Sequence, residues 1–248
     1  MRGYKGPRFW FRYLEVIYSL RKIPRKRKIL EIGAGTLELS SYFAKKGHKV
    51  TALDLSSDLI PLKKELPTNL QKNIRCIESD FLKYNFKNEK FDVIIAMEVL
   101  EHVKEEKKFL KKVQNLICKN GVIVISVPAH MSMWSRDDEM VGHVRRYDKK
   151  DMFRVKRFFK PKFSSINSYG WPWINITRYL RIVSTDIIYK ESNDSSQVDR
   201  SIVSGQRIKK LNFLRFFINE FTVFPFWLVS RLFVKINLSE GYIIFMKI

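Results

Sequence analysis

Leu30-Glu31-Ile32-Gly33-Ala34-Gly35-Thr36 reads as an apolar strand entering a glycine turn, and Asp54 ends a second strand 19 positions after Gly35. Gly33 and Gly35 let the backbone press against a ligand, and an acid at the end of the next strand can accept hydrogen bonds from both hydroxyls of a ribose. The third glycine of the dinucleotide pattern would fall at position 38, where Glu38 would repel a pyrophosphate. A nucleoside without phosphates is the better guest. Glu98, Glu101 and His102 stand at i, i+3 and i+4, which one helical turn gathers on one side. Two carboxylates and an imidazole suit Mg2+, Mn2+ or Zn2+. Residues 127–152 (VPAHMSMWSRDDEMVGHVRRYDKKDM) concentrate imidazoles, guanidiniums, carboxylates and aromatic rings. His130 and His143, with His102 as a third candidate, can take a proton from an attacking hydroxyl near neutral pH. Arg145 and Arg146 can bind a phosphate or carboxylate. Trp134 and Tyr147 can stack on a ring, and Asp138 and Glu139 can hold hydroxyls or pair with the two arginines.

The run KILEIGAGTLELS (28–40) resembles the first motif of the class I S-adenosylmethionine (SAM) methyltransferases, with Leu37 where that family usually has its third glycine. The resemblance implies SAM with its ribose on Asp54, its adenine beside Asp80 and Phe81, its methionine amino group near Glu31, and Leu55 and Met97 along the donor. MEVLEH (97–102) resembles the E-x-x-E-H of ubiquinone-pathway O-methyltransferases. It is also similar to that of small-RNA 3′-terminal 2′-O-methyltransferases, where these positions hold a divalent cation with a further histidine; His143 is the candidate for it. In many methyltransferases a related segment holds no metal and shapes the pocket. Residues 127–152, with FWFR at 9–12, resemble a bacterial and archaeal branch with the pattern VPAH…W…DE…GH…RRY. Glycan, sugar or lipid-linked acceptors are the common guess for that branch. The resemblance is strong over 28–152 and weak over 171–235. It implies methyl transfer to a polar acceptor atom, foremost oxygen, of a small molecule, glycan or lipid-linked sugar. The rivals are an RNA methyltransferase and a non-catalytic SAM-fold protein.

These groups need a scaffold that brings strand ends together. Apolar and amphipathic periodicities predict helices at 8–21, 37–46, 57–66, 104–117 and 149–159, and strands at 28–33, 49–54, 74–79, 91–97, 121–127, 162–169 and 241–247. Strands alternating with helices predict an α/β fold: a doubly wound, Rossmann-like, seven-stranded, mostly parallel sheet with helices on both faces. Residues 128–148 read as a long structureless loop and 171–190 as helix. The polar run 191–206 precedes an aromatic, basic stretch at 208–235, in which Pro225 should kink or divide a helix. The whole reads as one domain over 1–248: a helical cap at 1–26, a SAM-binding core at 27–170, a helical lid or interface at 171–238, and a last strand at 239–248.

Composition bounds the partners. Forty-seven basic residues against 25 acidic ones give a net charge of +22 over 248 residues. That balance favours an anionic partner: an acidic acceptor, a membrane surface or nucleic acid. Segment 211–235 reads as a peripheral contact with anionic lipid, a packed lid or a dimer surface. Cys76 and Cys118 read as thiols in a reducing compartment. The first apolar run is broken by Arg8 and Arg12, which speaks against a secretory leader, so a cytoplasmic placement is expected.

Overall fold

Lys28–Ile32 (β1) is the spine of the sheet. Lys49–Asp54 (β2) and Phe91–Met97 (β4) lie parallel on either side of it, and Ile74–Glu78 (β3) extends the β2 edge. Ile117–Pro128 (β5) runs parallel to β4. Gly241–Lys247 (β7) inserts antiparallel between β5 and Phe163–Tyr169 (β6), giving the order β3-β2-β1-β4-β5-β7-β6. The computed structural model describes residues 5–178 and 217–248.

Continuous apolar strands demand cover on both faces, and helices supply it. On one face Ile94 and Ile123 pack under Glu106–Leu116 (α5) and Lys149–Phe159 (α7) through Phe109, Val113, Met152 and Phe159. On the other, Ile29, Ile95 and Val124 meet Pro7–Leu20 (α1), Glu38–Lys45 (α2) and Glu220–Ser230 (α8) through Phe11, Val16, Phe43 and Trp227. Each such fully buried side chain contributes about 1.5–3 kcal/mol relative to exposure.

Several expectations are corrected. β5 starts at Ile117, because Ile117 pairs with Phe91 before a register shift carries the strand to Val122. The expected structureless loop holds a 3-10 turn at Met131–Met133 and a short helix at Arg136–Met140, where Ser135 and Asp138 form a capping box. The expected helix at 57–66 is shorter, Leu59–Lys64, and is followed by a turn of helix at Thr68–Gln71. α8 runs through Pro225 undivided; the proline forfeits one bond, to the carbonyl of the exposed Phe221 near the helix start. Residues 173–178 are helical, while the rest of the expected 171–190 helix and the polar run 191–206 lie outside the described residues. The glycine turn, Glu98 and His130 thus fall at the carboxyl ends of β1, β4 and β5, the edge where ligands bind in such sheets.

Candidate functional site

The glycine turn is tied to β2 by two backbone bonds, from Gly33 N–H (2.8 Å) and Ala34 N–H (3.1 Å) to the Leu53 carbonyl. Gly33 has φ +72°, and a Cβ there would lie 2.4 Å from Val99 Cγ2. Gly35 instead faces open space: a Cβ would meet nothing within 4 Å. Its N–H donates to Asp54 Oδ2 (2.8 Å), while Ser56 N–H donates to Oδ1 (2.9 Å). Both carboxylate oxygens are thereby aimed at the mouth of the turn, with lone pairs left for two hydroxyls. Leu37 keeps a left-handed φ of +64°, a glycine-like conformation held in place by its complete burial.

Glu31 lies beneath this turn, buried, with the Ser40 hydroxyl donating to it. Burial pushes its carboxyl up to about 8, and Glu38 and Asp54 add to the effect. An ammonium beside it would favour the charged form. Beyond β3, Asp80 Oδ1 accepts from Leu82 N–H (2.7 Å) in its own turn. Leu55 is exposed and Met97 half-buried. Phe81 requires a correction. Its ring packs in the core against Phe109 (4.8 Å between centroids) and Phe86 (6.0 Å), so it is not a free face for adenine.

Glu98 also departs from expectation. It has φ +53° and precedes a 3-10 turn at Leu100–His102, so the spacing that would gather it with Glu101 and His102 on an α-helix does not apply. Glu98 Oε2 instead receives Arg8 Nη2 (2.6 Å) and lies 3.2 Å from Arg12 Nη1. Its Oε1 receives Ser126 Oγ (3.3 Å) and Tyr169 Oη (3.2 Å). Burial acts to raise its pKa, but the two guanidiniums outweigh burial and hold the carboxyl at about 2. Arg8 and Arg12 were missed as site residues. The available signal was two arginines one helical turn apart inside a mostly apolar, aromatic helix.

Glu101, His102 and His143 come together, with one ligand atom of each within 4.8 Å of the others. Glu101 is fully buried, neither of its oxygens has a hydrogen-bond partner, and burial followed by the charge on Glu98 drives its pKa far up. His143 Nε2 faces Glu101 Oε1 at 3.7 Å, and its Nδ1 sits 2.7 Å from Asp138 Oδ1. Because Asp138 is held ionised against its burial by His143 and Arg146, the proton of a neutral His143 belongs on Nδ1 and the free lone pair points at Glu101. His102 donates from Nδ1 to the Gly142 carbonyl (3.2 Å), and burial, then His143, lower its pKa to about 4.

The loop's other charges serve the loop itself. Arg146 is buried and donates from Nε to Asp138 (2.8 Å) and from Nη1 to the Ala129 carbonyl (3.1 Å). Arg145 Nη2 reaches the Val103 and Lys104 carbonyls, both at 3.1 Å. Tyr147 is buried, with its hydroxyl donating to Glu106 Oε2 (2.9 Å). Asp138, Arg146 and Tyr147 are therefore buried anchors and not free acceptor contacts, as desolvating them without partners would be costly, while the partly exposed Arg145 ties the loop to the turn before α5. Trp134, half-buried, donates to the exposed Glu139 (3.3 Å). His130, half-buried at the end of β5 with φ +60°, lies 3.4 Å from the Tyr242 hydroxyl, and burial lowers its pKa.

The sheet order, the glycine turn and Asp54 together define the class I SAM-methyltransferase fold. Residues 30–125 match the methyltransferase domain family. The ubiquinone biosynthesis O-methyltransferase of Glaesserella parasuis serovar 5 is 35% identical over 106 residues, 40% of this chain and 44% of that protein. The enzyme of the same name from Idiomarina loihiensis is 28% identical over 138 residues, covering 54% of this chain and 56% of its own. The chain thus spans about half the length of these curated relatives. Among solved structures, phosphoethanolamine N-methyltransferase 2 of Haemonchus contortus superposes with a TM-score of 0.59 at 14% identity, covering 96% of this chain and 52% of that one. The methyltransferase domain of bacterial CtHen1 gives 0.53 at 18% identity, covering 65% and 90%. These two likenesses concern the fold.

Proposed function

We propose that this chain transfers the methyl group of SAM to a hydroxyl of a small-molecule acceptor, with a glycan or lipid-linked sugar within that class. The observation that carries the reading is the Gly35–Asp54 pairing, which aims a carboxylate at an open glycine cradle. The remaining charges of SAM find complements around it. Glu31 suits the methionine ammonium. Arg8 and Arg12 suit its carboxylate, since each has a buried Nε–H without a partner. Asp80 suits the adenine amino group. The O-methyltransferase names of the sequence relatives support oxygen as the attacked atom. Positioning donor and acceptor in line supplies most of the rate. The half-exposed side chain of His130 where β5 ends supports it as the base that takes the hydroxyl proton. Calorimetric titration with SAM followed by methyl transfer from labelled SAM into aqueous, lipid and RNA extracts tests the proposal. Absence of SAM binding defeats it, and salt-steep labelling of RNA would move the acceptor to nucleic acid.

A second reading is favoured by one observation: a fully buried Glu101 carboxyl with two unpartnered oxygens beside two imidazoles. In it Glu101, His102 and His143 hold a divalent cation such as Mg2+, Mn2+ or Zn2+, which would polarise an acceptor oxygen. Carboxylate and neutral imidazole form a donor set that such ions accept.

A further inference from the structure

The outward side of α8 and its flanks carries an uninterrupted apolar stripe. Phe221, Phe224, Leu228 and Leu232 follow one another at steps of three, four and four, the spacing of one face of a helix that runs on into a 3-10 turn, and Phe217 lies just before the N-cap Asn219. All five are exposed, from 46% at Phe224 to 81% at Leu232. The face is not a misplaced core. Val223, Trp227 and Ser230 are buried on the other side, Trp227 Nε1 donates to Glu15 (2.9 Å), and Arg231 pairs with Glu15 at 2.8 Å. These bonds fix the helix on α1 with the stripe turned out. Exposed apolar patches of this kind mark a contact surface.

Charge selects the occupant. α8 itself carries one acid, Glu220, and no base, while exposed bases stand on the segment after its neighbour α1 and on the one that follows α8 itself. Arg21 and Lys22 follow α1, with Arg21 lying over Tyr18 (3.6 Å to the ring centroid), whose ring meets Trp227 at 5.8 Å. Lys235 follows the 3-10 turn at Arg231–Phe233. A second copy would bring the same net +22 against this face and be repelled, whereas an anionic bilayer attracts it. We propose that α8 docks the protein on an anionic lipid surface. Its phenylalanines and leucines enter the boundary between headgroups and acyl chains, and Arg21, Lys22 and Lys235 face the phosphates. The inference is independent of the methyl-transfer reading. Among the described residues no helix is long and apolar enough to cross a membrane, so the contact is peripheral.

Sedimentation of the full chain with vesicles of phosphatidylcholine, with and without phosphatidylserine, tests this. The protein should pellet with the anionic vesicles, and less so at high salt. Phe221→Ser with Leu232→Ser should lower the vesicle partition coefficient at least about tenfold, with the thermal midpoint unchanged because both side chains are exposed. Should that pair fail to fold, Arg21→Glu with Lys22→Glu should weaken pelleting and leave the apolar face intact. Failure to pellet with either vesicle overturns the proposal, as a face covered by the chain itself would give. Pelleting unchanged by both variants also overturns it, tracing the attraction to scattered lysines. A concentration-dependent dimer that the serine substitutions dissolve would assign the stripe to a second copy.

Discussion

Arg8 and Glu98 lie 90 residues apart in the chain and 2.6 Å apart in the fold. The pair joins α1 to the end of β4, and Arg8 also lies 3.9 Å from Glu240 at the start of β7. Around Glu240 stand Arg146 and Arg178 as well, each at 4.0 Å. The N-terminal helix, two strand ends and the loop after β5 are thereby held by one charge network. Removing one partner of a buried pair leaves an uncompensated charge. Glu98→Gln should therefore destabilise the fold by about 3–5 kcal/mol in urea unfolding. A loss under about 1 kcal/mol, the scale of a solvated surface pair, would show that the pair is solvated.

Asp54→Ala should lower SAM affinity about tenfold or more, since charge-assisted hydrogen bonds contribute roughly 1.5–3 kcal/mol each. Asp54 also holds the N–H groups of Gly35 and Ser56, so the thermal midpoint must be read alongside. Calorimetry showing unchanged SAM affinity in a folded variant would remove Asp54 from the donor site.

What was legible depended on chemically marked ends. β2, β4, α7 and β7 occupy the expected residues, each bounded by a signal such as Asp54 or the Asp148–Asp151 capping box. The donor turn was legible for the same reason, because glycines and an acid at fixed spacing state a local geometry. The loop after β5 was not. Its composition announces chemistry, but whether Arg146 faces a ligand or Asp138 is decided by tertiary burial. Arg8 and Arg12 read as breaks in an apolar helix, and their target lies too far along the chain for spacing to reveal it.

Glu31 gives a pH signature. Its folded pKa, about 8, lies above the ordinary 4.5, so the folded state holds the proton more tightly. The associated stability is present below about pH 4.5 and is lost as pH rises toward 8, at no more than about 1.36 kcal/mol per pH unit. Glu31→Gln should flatten the fall of the thermal midpoint across that window without ligand. It should also weaken SAM, whose ammonium loses its counter-charge. An unchanged pH profile would place the titration elsewhere.

The two loop histidines should separate in kinetics. His130→Ala should lower turnover about a hundredfold, the scale of general acid–base catalysis, with SAM affinity unchanged. His143 has a 7% exposed side chain between Asp138 and Glu101, so His143→Ala should cost stability, about 1–3 kcal/mol for the hydrogen-bond partner left unpaired. A fully active His130→Ala would leave positioning as the source of rate.

The cation reading makes the last prediction, and its sign follows from Glu101. A ligand carboxylate must be deprotonated, and Glu101 is held protonated by burial and by the charge on Glu98. A bound cation therefore displaces a proton, and affinity should rise with pH. His102, lowered to about 4, is already a neutral ligand near neutrality and adds little pH dependence there. Titration with Mn2+ at pH 6 and pH 8 should give tighter binding at the higher pH and proton release. At a hundredfold excess over Kd it should stabilise the fold by about 2.7 kcal/mol. Glu101→Gln should sharply lower both the proton release and the pH dependence, while Glu98→Gln should lower them in part, because it removes one of the two causes that hold the Glu101 proton. If neither Mn2+ nor Zn2+ binds at either pH, Glu101 is instead the neutral partner of His143 Nε2, and the cluster serves to fix the loop beside the end of β4.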